Sequence, residues 1–529
     1  MQCTCVRQAD LPNASKLFID LIYHYDRVAD LYAFPTNDIE AIRRAASFAF
    51  PSDRRAASVE AIRPLNPGNP SLHRLAEPGT VAIITGQQVG LFSGPVYTIY
   101  KALTAIRIAA ELSATGTPAV PMFWLATEDH DFAEVDHAFA FGPDHQPVRL
   151  NLEADGGNAP RPVGQRTILR APLDELRAAL GDLPCAEEAV ALAARSYQPG
   201  ETLGSAFTKL LRELFAPYGL LFIDPMLPAL RSVAAPFMRS AVEQMPDLTR
   251  GIIARSADLV RRGYHAQVLV DDHTSLVFKL RNGERLALRR TRDGFADHAA
   301  TGAARWSVAE LAAHPEELSP NALLRPVAQD YMFPTAAYVG GAAELAYLAQ
   351  SAILYDNLLG RRPVIFPRAG FTVVDERAAK RMAKYRLAIT DLFQPERDLR
   401  ELISTRLIPN ELRHRLDATK STVAQALDTL DADLRRFDVS QSKALATSRR
   451  KIEHQVAKIT RKTGLQILQK DQQATHHAAS LSGLAFPDGH LQERVYSILP
   501  MLARFGPNFI SDIYNHVRVE CPDHQFAVA

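Results

Sequence analysis

The sequence predicts an α/β fold, a doubly wound parallel sheet, extended by an arm of two long antiparallel helices. Short apolar runs alternate with helical patterns and end in glycines or charged residues, which is typical of strands buried in a parallel sheet. Beyond residue 410, apolar residues recur at helical spacing over two long segments, which predicts a pair of packed helices.

Composition sets the broad class of the protein. The chain has 529 residues, of which 47% are hydrophobic and 22% charged, with a net charge of +1, so we expect a large core and more than one domain. This charge gives no reason to expect nucleic acid or a membrane as a partner, and no apolar run reaches the roughly 20 residues that span a bilayer. Without a secretory signal or a C-x-x-C pair among four cysteines, we expect a cytoplasmic protein with reduced thiols.

The first predicted strand, residues 81–85, follows a mainly helical segment, residues 1–78, and leads through a glycine-rich loop into a helix. Glycine lets the backbone approach a ligand, and ligands of parallel sheets bind beside such loops. The glycine spacing matches neither the dinucleotide nor the P-loop fingerprint, so a plain tight turn is the alternative interpretation of this loop. For Lys101, in the helix that follows, the alternative is a solvated position on the helix surface. The residues that we predict to hold a nucleotide or an anionic substrate group are Gly86, Gln87, Gln88, Gly94, Tyr97 and Lys101.

The second predicted strand, residues 119–126, ends in the acidic cluster Glu128, Asp129, His130 and Asp131. A histidine beside carboxylates can be oriented by them and have its pKa raised, which suits proton transfer. We predict that His130 is a general base, oriented by Asp129 or Asp131. A solvated corner after a strand is the alternative, and because the spacing matches no strong zinc pattern, we predict no metal site.

Two small β insertions are predicted, one near residues 135–165 and one near residues 265–300. Apolar alternation indicates the first. In the second, a strand at 267–270 precedes Asn282-Gly283, a strong type I′ hairpin signal between alternating runs. The arginines around this turn, at positions 281, 285, 289, 290 and 292, are interpreted as a solvated face.

A second strand–glycine–helix unit follows the insertions. Ser319-Pro320 predicts the start of a helix, and Arg325, Gln329 and Asp330 are polar residues in an apolar neighbourhood. A strand at 336–339 leads into Gly340 and Gly341, and the helix that they open carries Glu344 and Tyr347. A further strand, residues 364–367, ends in Arg368. Because several strand ends carry charged residues, we expect an enzyme rather than a structural protein.

Residues 374–478 form the predicted arm, in which two amphipathic helices break near 438–440. Such an antiparallel coiled-coil hairpin has little core of its own, so we expect it to form a homodimer. A lid that packs on the same chain is the alternative. The tail, residues 479–529, is apolar at helical spacing and is predicted to return to the core.

Long motifs along the chain resemble one family, the BshC family of bacillithiol biosynthesis: TGQQVGLFSGPVYTIYKA, VPMFWLATEDHDFAEVDH, VDDH, LSPNALLRPVAQDYMFPTAAYVGGAAELAY and LQERVYSILPMLARFG. The resemblance covers nearly the whole chain. It implies a Rossmann-like core with connecting-peptide insertions in residues 1–373, followed by a dimerising coiled coil. It also implies a cysteine ligase that joins L-cysteine to glucosaminyl-malate through an amide bond.

Forming an amide from a free carboxylate needs activation, for which we expect ATP or ADP to bind. Arg325 and Arg368 are predicted to clamp the malate carboxylates because arginine pairs with them in a bidentate manner; a structural ion pair is the alternative for each. The other residues predicted at the pocket are Gln329, Asp330, Glu344 and Tyr347, with Gly340 and Gly341 for the nucleotide and a second nucleotide site at Gln492 and Arg494. Two other functions remain open, a nucleotidyltransferase on another small anion and a nucleotide-binding dimeric scaffold without turnover.

Overall fold

The structure is a computed structural model that describes residues 1–157, 159–298 and 304–529. Residue 158 of the first predicted insertion and residues 299–300 of the second lie outside the described residues. The strands are β1 Gln2–Val6, β2 Val81–Gln87, β3 Ala119–Leu125, β4 His137–Phe141, β5 Pro147–Asn151, β6 Glu153–Ala154, β7 Ile168–Arg170, β8 Leu221–Ile223, β9 Thr274–Arg281, β10 Glu284–Thr291, β11 Gly294–Asp297, β12 Arg305–Trp306, β13 Leu318–Pro320, β14 Thr335–Gly340, β15 Val364–Pro367, β16 Phe371–Val374 and β17 His524–Val528.

The helices before the arm are α1 Lys16–Tyr23, α2 Ile39–Ala45, α3 Ser52–Ile62, α4 Pro70–Ala76, α5 Tyr97–Ala114, α6 Leu173–Leu180, α7 Ala186–Ser196, α8 Leu203–Phe215, α9 Pro228–Glu243, α10 Met245–Arg261, α11 Val308–Ala313, α12 Arg325–Met332 and α13 Ala342–Leu358. Those of the arm and tail are α14 Glu376–Lys384, α15 Glu396–Arg406, α16 Asn410–Phe437, α17 Val439–Lys470, α18 Gln472–Ala485, α19 Gln492–Val495, α20 Ile498–Phe505 and α21 Phe509–His516. Among the described residues, none of these helices is long and apolar enough to cross a membrane.

The central sheet is parallel and runs in the order β15-β14-β2-β3-β8. Its first strand along the chain, β2, therefore lies in the middle, with later strands added on one side and then on the other. This is the doubly wound arrangement, and the point where the order reverses lies between β2 and β14. The prediction of an α/β doubly wound core is confirmed.

Strand β2 shows why the sheet forms. Its residues from Val81 to Gly86 are buried, and alternate side chains enter different layers, as the pleat of a strand requires. Ile83 packs in one cluster with Ile108 of α5, whereas Ile84 packs in another with Ile62 of α3. A strand with apolar side chains on both faces is stable only between two helical layers, and that is where β2 lies.

The two insertions carry antiparallel strands. The hairpins β4–β5 and β6–β7 form the first insertion, and the second is a sheet in the order β12-β11-β10-β9-β13. Asn282 and Gly283 both have positive φ, 53° and 77°, as a type I′ turn requires.

Two local predictions near the second insertion are wrong. Residues 267–270 form no strand, because this short run has no pairing partner there, and Leu269 is 89% exposed. Ser319-Pro320 does not start a helix but lies in β13, where Ser319 pairs with Phe278 of β9. The helix begins only at Arg325.

The arm is the helix pair α16–α17, which turns at Asp438. The Asp438 carboxylate accepts a hydrogen bond from the Ser440 N–H at 2.8 Å and so caps the second helix. Leu427 and Leu445 are buried along the pair. The predicted α-helical coiled-coil arm is therefore confirmed as part of the fold.

Both chain ends return to the body in one small sheet. Strand β1 pairs with β17, and β17 pairs with β16. The tail helices α20 and α21 carry buried residues that belong to the main hydrophobic cluster. The prediction of a mainly helical first segment missed β1, whose partner lies at the other end of the chain.

Candidate active site

A cleft of about 400 Å³ lies at the carboxyl ends of the central strands, where the strand order reverses. Parallel sheets bind their ligands at this point. The predicted residues that line the cleft are Gly86, Gln87, Gln88, Tyr97, Lys101, Asp129, Arg325, Gly341, Glu344, Tyr347, Arg368 and Arg494. Its lining also includes Trp124, Glu134 and Tyr338, which the sequence analysis did not single out. The glutamine pair and part of the acidic cluster thus share one cavity.

Gly86 at the end of β2 is required by close packing against β3. A Cβ at this position would lie 2.9 Å from both the Cβ and the carbonyl oxygen of Trp124, too close for any side chain. The Gly86 carbonyl accepts a hydrogen bond from the Lys101 ammonium at 3.0 Å. The glycine therefore fixes the backbone on which the cleft is built.

Lys101 is not the solvated helix lysine of the alternative interpretation, since its side chain is only 2% exposed. The ammonium donates to Gln87 Oε1 at 2.8 Å and forms an ion pair with Glu344. Burial lowers the pKa of Lys101, against the charge of Glu344. The pair joins α5 to α13 across the floor of the cleft.

The Glu344 carboxylate is held by further donors at the start of α13. It accepts the Gly341 N–H at 2.9 Å and the Tyr338 hydroxyl at 2.7 Å. Burial would raise the pKa of Glu344, but the Lys101 charge and these donors hold it below its ordinary value. Glu344 is thus a structural anion of the cleft as well as part of its lining.

Arg325 at the start of α12 points its guanidinium between two neutral acceptors. It donates to Gln329 Oε1 at 3.1 Å and to the Tyr338 hydroxyl at 3.0 Å. No ion pair joins Arg325 to a carboxylate among the described residues. Its charge is therefore held in place without being neutralised by a direct partner.

Arg368 and Arg494 also line the cleft. Arg368 forms an ion pair with the buried Glu493 at 2.5 Å. This contact is the structural ion pair that was the alternative to a carboxylate clamp, although Arg368 also lines the cleft as the clamp would require. Arg494 forms no ion pair within the part of the chain that the structure describes. Both arginines, with Gly340 and Gly341, also line an adjoining cavity of about 300 Å³.

Asp129 and Glu134 form an acidic wall. The Gln88 amide donates to Asp129 Oδ2 and to Glu134 Oε2, both at 2.8 Å, and so holds the two carboxylates side by side. Burial would raise the pKa of Asp129, but the Gln88 hydrogen bond and the Arg285 charge keep it below its ordinary value. This wall faces a set of cationic side chains in one cavity.

The other members of the acidic cluster lie apart from the cleft lining. Glu128 is buried behind the cleft and accepts a hydrogen bond from Ser319 Oγ at 2.7 Å. Asp131 is exposed. His130 packs its ring 5.6 Å from that of Phe278. Burial and the charge of Arg285 lower the pKa of His130, so the increase predicted from its acidic neighbours is wrong.

Gln329 and Asp330 do not line the cleft. Asp330 accepts the Tyr355 hydroxyl at 2.7 Å and the Gln329 amide at 3.0 Å, and burial raises the pKa of Asp330. The Gln329 carbonyl oxygen holds Arg325. Both residues lie on the buried face of the short helix α12. They therefore support residues of the cleft without lining it.

Two residues predicted at nucleotide sites have structural contacts instead. The side-chain amide of Gln492 forms two hydrogen bonds with the backbone of Val373. It accepts the Val373 N–H and donates to the Val373 carbonyl, both at 2.8 Å. Gly94 has a φ of 61° in the turn before α5 and is not part of the cleft lining.

Arg285 is the residue that the sequence analysis missed most clearly. The sequence pattern predicts a solvated arginine face here, yet only 6% of Arg285 is exposed. Its guanidinium contacts both Asp129 and His130. Five arginines surround this turn in the sequence, and no local signal separates position 285 from the others. Its role follows only from the way the second insertion docks on the core.

Comparison with known proteins identifies the family. A model described as the N-terminal Rossmann-like domain of bacillithiol biosynthesis BshC matches residues 1–369. A second model, the C-terminal coiled-coil domain of bacillithiol biosynthesis BshC, matches residues 371–528. Together they cover nearly the whole chain.

Full-length relatives agree with these matches. The chain is 50% identical over 529 residues to a protein of Solibacter usitatus, with 100% of both chains covered. It is 32% identical to one of Koribacter versatilis, covering 98% of each, and 31% identical to one of Salinibacter ruber, covering 96% and 95%. All three relatives are named "Putative cysteine ligase BshC". The chain therefore belongs to the BshC family of bacillithiol biosynthesis, whose members are named as cysteine ligases.

Proposed function

We propose that this ligase joins the carboxyl group of L-cysteine to the amine of glucosaminyl-malate in the cytoplasm, with ATP or ADP binding at the same cleft. The observation that carries the proposal is the arrangement of charge. Arg325, Arg368 and Arg494 line the same cavity as the carboxylates of Asp129 and Glu134, at the switch point of the sheet. A substrate that bears both carboxylates and an amine matches this division of charge.

Arg325 is the primary anchor for the malate carboxylates in this proposal. Its guanidinium is oriented by Gln329 and Tyr338 and has no carboxylate partner among the residues that the structure describes. Arg368 serves second, because Glu493 already shares its charge. The opposite wall, Asp129 with Glu134, then receives the amine end of the substrate.

The nucleotide is proposed to bind beside Gly341, where α13 begins. A Cβ there would point to within 3.6 Å of Glu344 and 3.8 Å of Arg368, so the glycine keeps open space that a side chain would fill. Arg494 lines the same region and is suited to pair with phosphate. When bound, ATP would supply the activation that a free carboxylate needs.

The reaction can be tested directly. We expect purified protein, supplied with glucosaminyl-malate, L-cysteine and ATP, to form bacillithiol and to release AMP or ADP, as measured by mass spectrometry. Pyrophosphate release without cysteine would favour a nucleotidyltransferase instead. Nucleotide binding by calorimetry without any amide product would favour a dimeric scaffold.

We further propose that the arm forms a homodimer. Its helices expose apolar side chains, including Ile452 and Ile459 at 39% and 58% exposure, and such residues favour contact with a second copy. We expect the double variant Ile452→Glu/Ile459→Glu to be a monomer in light scattering at concentrations where the wild-type protein is a dimer. Lys451→Glu, an exposed neighbour, is the matched control and should remain a dimer. A wild-type monomer would contradict this proposal.

A further inference from the structure

Arg285 projects from the second insertion into the acid–histidine loop of the core. Its neighbour on the same strand, Arg289, is exposed, whereas Arg285 is buried with its guanidinium 3.8 Å from the centre of the Phe278 ring. Burying an arginine is costly unless its donors are satisfied. The contacts of this side chain therefore indicate what it is there to hold.

Each nitrogen of the guanidinium has an acceptor. Nε donates to Ser319 Oγ at 3.0 Å, and Nη2 donates to the Pro320 carbonyl at 3.0 Å. Nη1 lies 3.4 Å from Asp129 Oδ1 and 3.3 Å from His130 Nδ1. Two anchors on β13 thus fix the guanidinium, and its remaining nitrogen contacts the loop.

The contact with His130 determines where the imidazole carries its proton. A guanidinium has donors and no acceptor, so Nδ1 of His130 must be the acceptor in this pair. A neutral imidazole whose Nδ1 accepts carries its hydrogen on Nε2. Protonating Nδ1 would bring an N–H and a positive charge against Arg285, so the geometry disfavours the doubly protonated ring.

We propose that Arg285 is a positioning residue, which holds His130 as the Nε2–H tautomer, so that the ring nitrogen left free is a hydrogen-bond donor rather than a base. The proposal rests on the proposed function for the identity of the reaction. Arg285 also orients Asp129, whose other carboxylate oxygen accepts the Gln88 amide at the cleft. The role of His130 as general base, inferred from the sequence, is replaced by this assignment.

Variants of His130 separate a donor from a base. In His130→Gln, the amide can still donate a hydrogen bond near the position of Nε2, but it cannot accept a proton at neutral pH. We expect His130→Gln to keep at least about one third of the wild-type kcat/KM and His130→Ala to lose about 30-fold, the cost of one donor to a charged group. Equal losses in the two variants would overturn the donor role.

Variants of Arg285 test the positioning role through the pH profile. The charged groups that face His130 are Arg285 from the insertion and Asp129 and Asp131 from its own loop. Burial and the Arg285 charge both lower the pKa of His130. Removing Arg285 leaves burial opposed by the two carboxylates, so the pKa of His130 rises. We expect the midpoint of the pH profile of the His130 imidazole ¹⁵N signals to move up by about one pH unit in Arg285→Gln. Arg289→Gln should leave this midpoint unchanged, and an unmoved midpoint in Arg285→Gln would refute the proposal.

A measurement without turnover keeps this inference separate from the proposed reaction. In protein labelled with ¹⁵N-histidine, the imidazole signals that disappear in His130→Gln report its tautomer. We expect a protonated Nε2 and an unprotonated Nδ1 in the wild-type protein. If no amide forms under any condition, the reaction is wrong while this result still stands; a protonated Nδ1 would reject the tautomer assignment whatever the activity.

Discussion

Replacing Lys101 by methionine is expected to lower the free energy of unfolding by about 3–5 kcal/mol, the usual cost of removing one partner of a buried ion pair. The Glu344 carboxylate would lose its cation, and Gly86 and Gln87 would lose a shared donor. The cleft should lose its ligand affinity together with its stability, since three of these residues line it.

The measurement can be confined to the core. The chain has two tryptophans, so in a Trp306→Phe background the fluorescence of the buried Trp124, at the cleft, follows urea unfolding of the central sheet. Lys380→Met is the matched control, because that lysine is 79% exposed and should change stability little. An unchanged transition in Lys101→Met would contradict the structural role of the pair.

A second variant shows whether the loss comes from the unpaired charge. In Lys101→Met/Glu344→Gln the amide oxygen can still accept from Gly341 and Tyr338, and neither charge of the pair remains. We expect this double variant to recover most of the stability, because replacing a buried ion pair as a whole is often nearly neutral. It should not recover activity if the charged cleft performs the reaction.

The same pair makes a stability prediction for pH. The folded-state pKa of Glu344 lies below its ordinary value of 4.5, so its contribution is present above that value and is lost as the pH falls through the folded-state pKa. Wild-type stability should therefore fall more steeply below about pH 4.5 than that of Lys101→Met/Glu344→Gln. Parallel pH curves in urea unfolding would contradict this link.

The central strands could be predicted from sequence because they are buried on both faces. Strand β3, Ala119–Leu125, is fully buried, and such a strand needs a continuous apolar run that local pattern detects. The order of the strands could not be predicted in this way. Strand β14 pairs with β2 although about 250 residues separate them, and periodicity carries no information about such distant pairing.

The errors have the same physical origin. Residues 267–270 have the apolar composition of a strand but no partner, whereas β1 and β17 have partners that lie at opposite ends of the chain. At the site, the sequence predicts the position of Lys101 on its helix. Its burial depends on the distant Glu344, with which it forms an ion pair, and local sequence does not reveal that partner. Sequence pattern therefore predicted which residues reach the cleft edge better than it predicted what each one contacts.

Arg325→Gln is the second prediction with a large effect. We expect it to lower kcat/KM for glucosaminyl-malate by roughly 100- to 1,000-fold, because losing one side of a desolvated, hydrogen-bonded charge pair costs about 3–4 kcal/mol. Arg325→Lys should recover only a small part, since an ammonium keeps the charge but lacks the planar fork that matches a carboxylate. Arg289→Gln, on the exposed side of the insertion, should retain full activity.

A substrate analogue identifies the group that Arg325 contacts. If Arg325 pairs with a malate carboxylate, converting that carboxylate to an amide should cost the wild-type enzyme a similar factor and should cost Arg325→Gln little more, as expected for two partners in one contact. Additive losses would place Arg325 away from the malate, with a purely structural role for its bonds to Gln329 and Tyr338.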